Sequence, residues 1–234
     1  MVPTLRKRPA RSGYFTIAIG LRERFAAHGA PDVAELVTTE ADEIARMLCQ
    51  EPAHPLMPLF ADSLRDLGRQ VATRHKGSFA AVVDAAAGSA VALVDELAAW
   101  PCFADTSSYR ELSVPFLKRA QIAAADLSRT GAARFDDLAE LTMFADNLVP
   151  HVLRMDGILR YGPELLTRIE RGELLGHGSP EEVEIRACAV HAVELLAAEL
   201  PSVPASDIDQ TLWNRGQRPR YRESPRHRTH CTAY

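Results

Sequence analysis

Apolar side chains recur along almost the whole chain at three- and four-residue spacing, and no segment sustains the alternation that a half-buried strand needs. Phe60, Leu64, Leu67 and Val71 form one such stripe; Leu138, Leu141, Ala145, Leu148 and Val152 form another. Each puts its apolar residues on one face of a helix, so the chain is expected to bury helical faces against one another. Start signals agree. Ser179-Pro180-Glu181-Glu182 offers a capping hydroxyl, a proline at the first helical position and acids in the first turn. Ser206 with Asp209, and Thr39 with Asp42, have the spacing of a capping box. Turn-rich stretches (HGAPD, QEPAHP, HKGS, AAGS, WPCFADTSSY, SRTGAAR, RYGP, GHGS, LPSVP) divide the chain into about ten helices. YFTIAIGL is the one strand candidate. An all-α fold in a single domain over residues 1–234 is expected, since 234 residues fall within the reach of one hydrophobic core.

The net charge of −4 is unevenly laid out. Residues 1–11 carry four basic side chains and no acid, and residues 215–234 carry six arginines against Glu223, which leaves −13 on the body between them. An acidic body repels a polyanion, so a small phosphorylated ligand suits this layout better than a duplex, and no stable nucleic-acid complex is expected. The basic end, NRGQRPRYRESPRHRTH, reads either as a disordered tail or as an extended segment held against the body. Cys49, Cys102, Cys188 and Cys231 form no CxxC pair, which argues against a zinc knuckle or a secreted disulfide framework. No apolar run approaches a membrane span, so a cytoplasmic protein without a membrane partner is expected, working as a monomer.

Walker, HExxH and GxSxG signatures are absent, and GHG at 176–178 follows no expected strand. The eight histidines are scattered, so no metal site is expected, and His191 reads as a core or boundary residue. Asp146 is different. It stands among Met143, Phe144, Leu148 and Val149, and Pro150 four residues on cannot donate to its carbonyl. Either a helix kinks there or one restarts with Asp146 or Asn147 as its cap; both readings put a poorly hydrated carboxylate at a helix discontinuity. Lys118, in VPFLKRAQIAAADL, shares a helix face with Ile122 and Ala125, the usual setting of a snorkelling surface lysine. Arg186 in EVEIR can pair with Glu182 as a surface bridge.

Together SGYFTIAIGLRERFAAHGAPD, SLRDLG, KGSF, Phe103-Ala-Asp105, KRAQI, LTMFADNLVPHVLRMDGILRY, EEVEIRACAVHAVELL, the LW at 212–213 and the closing HRTHCTAY resemble the queuosine salvage proteins, the queuosine 5′-phosphate N-glycohydrolases. The likeness runs in order from about residue 11 to the C-terminus. It implies a helical fold similar to that of helix-hairpin-helix DNA glycosylases and hydrolysis of queuosine 5′-monophosphate to the base queuine, with no cofactor. By its place in FAD, Asp146 matches the family's catalytic aspartate, and Lys118 in KRAQI matches a lysine that faces it. Family members also carry a helical segment upstream of SGYF that contributes to the base pocket; this sequence begins just before that motif, so that portion is expected to be missing.

The implied chemistry explains the aspartate. Loss of the base leaves positive charge on the ribose, and a nearby carboxylate stabilises it or attacks C1′ directly. One such pair at about 4 Å and an effective dielectric of about 20 is worth about 4 kcal/mol, roughly a thousandfold in rate. For the base, Tyr14, Phe15 and Phe144 are the aromatic candidates, and Asp62, Asp105 and Glu184 the acids that could read its polar groups. For the 5′-phosphate the candidates are His227 and Arg228, with Arg119 and Arg186 behind them, which would fold residues 215–234 back over the site. The competing expectation is a non-enzymatic helical module that binds nucleotides or nucleic acid through its arginine-rich end.

Overall fold

The structure is a computed structural model, and it describes residues 5–9 and 12–234. Twelve α-helices and four short strands occur among these residues, so the protein is mostly helical. The chain divides into two compact units: residues 1–82 with 100–102, and residues 83–99 with 103–234.

The first unit holds α1 (Gly13–His28), α2 (Val33–Val37), α3 (Ala41–Met47) and α4 (Leu56–Arg74). The strand candidate YFTIAIGL lies inside α1, a correction with a local cause. Ser12 caps the helix by accepting from the Phe15 amide, and the segment is followed by helix-favouring residues rather than by a turn. Gly20 lets α1 lie on the end of α3, where a Cβ would come within 2.9 Å of the Met47 carbonyl. Ile44, Ala45, Leu48, Met57 and Ala61 make the core. The Phe60–Val71 stripe lies in α4 as its spacing requires, with Val71 fully buried. Thr39 does not cap α3: Glu40 holds that position, and the Thr39 hydroxyl donates instead to the Glu35 carbonyl.

Helix α5 (Phe79–Ala85) leads into the second unit, which contains α6 (Ala90–Ala98), β1 (Thr106–Tyr109), β2 (Leu112–Pro115), α7 (Lys118–Arg129), α8 (Val149–Met155), α9 (Pro163–Glu170), β3 (Leu174–Leu175), α10 (Pro180–Glu199), α11 (Ala205–Arg215), α12 (Pro219–Arg222) and β4 (Arg228–Thr229). The ADTSSY stretch, expected as a turn, runs into a strand. β1 and β2 pair antiparallel from Thr106↔Pro115 to Tyr109↔Leu112, around a two-residue turn in which Arg110 takes a φ of 54°. No glycine or asparagine marks that turn, so its signal was missing from the sequence. β3 and β4 pair in parallel, Leu174 with Arg228 and Leu175 with Thr229, which fastens the C-terminal segment to the unit. Ser179 and Pro180 begin α10 as their sequence suggests. Ser206 does not cap α11, because Pro204 precedes the first turn and Asp209 is turned inward.

The second expected stripe, 138–152, is not one helix. A 3₁₀ turn occupies Leu138–Glu140, Leu141–Leu148 run irregularly, and α8 starts at Val149. Leu141, Met143, Phe144, Ala145 and Leu148 are all buried there, so the apolar spacing reflects enclosure from several sides rather than a single face. Side chains replace the missing helical ladder. Gln121 accepts from the Thr142 amide at 2.9 Å, Asp209 from the Phe144 amide at 3.2 Å, and Arg186 donates to the Ala145 carbonyl at 3.0 Å. Backbone groups of an enclosed loop must find such partners, and here each comes from a different helix.

Candidate active site

The irregular segment delivers Asp146 to the start of α8. Asp146 Oδ1 accepts from the amides of Leu148 and Val149, both at 2.8 Å, so the carboxylate closes the first turn. Pro150 sits inside that first turn, where its missing N–H leaves nothing unpaired; the helix restarts rather than kinks. Asp146 Oδ2 makes no hydrogen bond among the described residues. The side chain is 7% exposed. One oxygen is thus tied to the backbone, and the other has no hydrogen bond among the described residues.

Lys118 opens α7 and is held by Asp105. The Asp105 carbonyl accepts from the amides of Phe116 and Leu117, and Asp105 Oδ2 accepts from the Lys118 amide at 3.3 Å. Leu117 takes a φ of 49° to turn the chain into the helix. A branched residue in this left-handed region costs on the order of 1 kcal/mol, and the grip of Asp105 on residues 116–118 and on Arg186 offsets it. Burial pushes the Lys118 ammonium below its ordinary range, opposed by the charges of Asp146 and Asp209 and aided by Arg186 and Arg119. Its surroundings are therefore not those of a snorkelling surface lysine.

Arg186 and Asp105 are fully enclosed and spend their polar groups on each other. The guanidinium forms a two-pronged pair with Asp105 at 2.9 and 2.6 Å, reaches Glu182 at 3.3 Å and lies 3.9 Å above the Phe116 ring. The pairing with Glu182, expected at the surface, is buried, with both side chains at 0% exposure. This network joins the Lys118 end of α7 to the Ala145 carbonyl beside Asp146.

A further acid, Asp209 of α11, completes the cluster. It is 5% exposed, and its carboxyl is pushed up to about 8 by burial and by the charge of Asp146, against the pull of the Phe144 amide and Lys118. Sequence reasoning passed over it as a capping acid. It also passed over Gln121, which grips Thr142 from α7, and Arg226, which interacts with Asp146 yet forms no hydrogen bond or ion pair among the described residues. KRAQI and the LW motif pointed to the neighbourhoods of Gln121 and Asp209, but only the fold turns those side chains inward.

The other candidates are spread more widely. Phe144 is buried beside Asp146. His227 is fully enclosed, both of its ring nitrogens lack a partner among the described residues, and burial pushes its pKa down to about 3, so the ring is neutral. Its carbonyl accepts from Asn147 at 3.4 Å, bringing the C-terminal segment to the residue next to Asp146. Arg228 is half-buried on β4, and Arg119 is half-buried on α7, 6.0 Å from the Phe103 ring. Glu184 is exposed on α10 and accepts from the Tyr109 hydroxyl. Tyr14, Phe15 and Asp62 belong to the first unit: Tyr14 is 60% exposed, its ring meets that of Phe15 edge-on at 5.3 Å, and Asp62 pairs with Arg65. His191, expected at a core or boundary position, is exposed and lines an open groove of about 290 Å³ with Val114, Phe116, Thr142 and Glu194. Lys118, Asp146 and Asp209 do not line that groove. Among the described residues no group of histidine, cysteine and acidic side chains could hold a metal ion, and no helix is long and apolar enough to cross a membrane.

Comparison with known proteins gives this geometry a context. A family model described as "Queuosine salvage protein" matches residues 5–234. A protein of Sphaerobacter thermophilus named "Queuosine 5'-phosphate N-glycosylase/hydrolase" is 43% identical to this chain, over 95% of the chain and 72% of that protein. Proteins of the same name from Bos taurus and Mus musculus are 31% and 29% identical over the same shares.

Proposed function

The chain belongs to the queuosine salvage protein family, and from that premise we propose that it is a hydrolase that cleaves the N-glycosidic bond of queuosine 5′-monophosphate and releases queuine for return to tRNA modification. The observation that carries the reading is the divided carboxylate of Asp146: one oxygen fixed by two amides, the other without a hydrogen bond among the described residues, with Lys118 and Asp209 in its field. A carboxylate held this way needs no rearrangement when positive charge appears on the sugar, which makes it an efficient stabiliser of that charge. Lys118 balances Asp146 in a place where water is scarce.

In this reading Phe144 faces the base, with Glu184 at its polar edge. His227 and Arg228 hold the 5′-phosphate, with Arg119 in support, and Arg226 joins them as a cation not already committed to a carboxylate. Asp105 and Arg186 serve the substrate indirectly, by fixing Lys118 and the Ala145 carbonyl. The protein works as a cytoplasmic monomer without a cofactor, and the chain acts as one enzymatic domain of the helix-hairpin-helix glycosylase type, residues 215–234 covering its site.

The test is to incubate the protein with queuosine 5′-monophosphate and with the unphosphorylated nucleoside, and to follow free queuine by chromatography. Turnover is expected, abolished by Asp146→Asn and weakened by Lys118→Ala. Absence of queuine, together with tRNA or duplex binding that falls steeply with salt, would instead favour a nucleic-acid-binding module.

A further inference from the structure

Asp209 has no assigned part in this chemistry, yet it is enclosed with the two groups that do. It projects inward from α11, is 5% exposed, accepts one hydrogen bond through Oδ1 from the Phe144 amide, and forms no ion pair among the described residues. Asp146 lies two residues beyond that amide. The groups whose charges act on Asp209 are Asp146, from the segment before α8, and Lys118, from α7. Both carboxyl groups share the Lys118 ammonium, and Arg226 adds its charge at Asp146. Enclosed charge without a counter-charge of its own is unfavourable, so Asp209, which has only a share in Lys118, is the acid that keeps its proton. Asp146 accepts two amide hydrogen bonds at 2.8 Å, whereas Asp209 accepts one at 3.2 Å. The proton therefore resides on Asp209.

We propose that Asp209 is the proton donor to the departing base, working as the acid of a carboxyl pair whose other member, Asp146, faces the sugar. The inference rests on the hydrolase reading above. Its chemical motive lies in the leaving group: a 7-deazapurine lacks the ring nitrogen at position 7 that takes up a proton when ordinary purines depart, so it leaves as a poor anion unless an acid reaches it elsewhere. In the step, the C1′–N bond breaks and its electron pair stays on the base, which takes the Asp209 proton. The oxygen of a water molecule bonds to C1′, and that water's released proton restores Asp209. The products are the neutral base and ribose 5-phosphate. Two acids driven apart in proton affinity by their surroundings are a recurring means of running acid chemistry beside a charge-stabilising carboxylate.

Asp209→Asn separates this role from a purely structural one, because the asparagine carbonyl still accepts from the Phe144 amide while its amide cannot deliver a proton. Base release from queuosine 5′-monophosphate is compared with cleavage of 4-nitrophenyl riboside 5′-phosphate, whose leaving group needs no acid. A 10²–10⁴-fold fall in kcat for the first at nearly constant KM, with the second cleaved at close to the wild-type rate, is expected. The wild-type rate should decline above about pH 8, where Asp209 loses its proton, and the variant should lack that limb. Wild-type kcat in the variant, or equal losses on both substrates, would overturn the proposal. So would a wild-type profile without the alkaline decline, a measurement independent of how the variant folds. A wild type that cleaves neither compound would overturn the hydrolase reading and this proposal together, whereas failure of Asp209 alone leaves wild-type turnover intact.

Discussion

Replacing Arg186 by alanine should unfold much of what aligns the site. The guanidinium is 0% exposed and serves five partners: Asp105 through two hydrogen bonds, Glu182, the Ala145 carbonyl, and the Phe116 and Tyr234 rings. Breaking an enclosed ion pair by removing one member costs about 3–5 kcal/mol, because the other charge stays behind in a place without water. The orphaned Ala145 carbonyl adds about 1–3 kcal/mol. These contributions overlap, and about 4–6 kcal/mol is a reasonable total, a large part of the roughly 5–15 kcal/mol that holds a domain together. With an m-value of about 2–3 kcal/mol/M in urea for a chain of this size, the midpoint followed by circular dichroism should fall by about 2 M. Arg186→Lys keeps the charge but not the two-pronged geometry, and should recover only part of the loss. A midpoint shift under about 0.3 M for the alanine variant at unchanged slope would refute the claim that this network organises the unit.

Other outcomes follow from the same contacts. Asp146→Asn should abolish base release while costing only about 1 kcal/mol of stability, since the amide oxygen still accepts from Leu148 and Val149; a melt separates the two effects. Asp209 is protonated up to about pH 8 in the folded chain, against an ordinary value of 3.8, so the native state binds the extra proton and stability falls as pH rises from about 4 to 8. Asp209→Asn should flatten that fall, by up to about 6 kcal/mol, in urea titrations at several pH values. His151 and His227 act at the opposite end: burial depresses them to about 4 and about 3, so the unfolded chain binds more protons below about 6.5 and stability drops on acidification; the drop should shrink in a His151→Gln variant. Gly68→Ala should lower stability by about 1–3 kcal/mol despite a better helix propensity, because the new Cβ would stand 2.9 Å from Leu36 Cβ and 3.0 Å from the Val37 amide nitrogen.

Local sequence carried the helices that one face and one cap define. The Phe60–Val71 stripe and the Ser179-Pro180 start needed nothing beyond spacing and a hydroxyl, because an amphipathic face and a capped first turn are properties of neighbouring residues. The position of Asp146 beside Pro150, and the KRAQI and EVEIR motifs, were likewise legible as places of interest. Tertiary structure alone decided the rest. Leu141–Leu148 carry a helical pattern yet run irregularly, because Gln121, Asp209 and Arg186 supply the partners that a helix would have supplied from within. A lysine with surface spacing became half-buried beside two acids, and an arginine with a surface partner became an enclosed charge, for the same reason: exposure depends on which elements close over a residue, and no local period encodes that. Asp209 shows the division most clearly, since its local context says only that it is an acid near a helix start. Its distance from water and its neighbour Asp146 set whether it holds a proton.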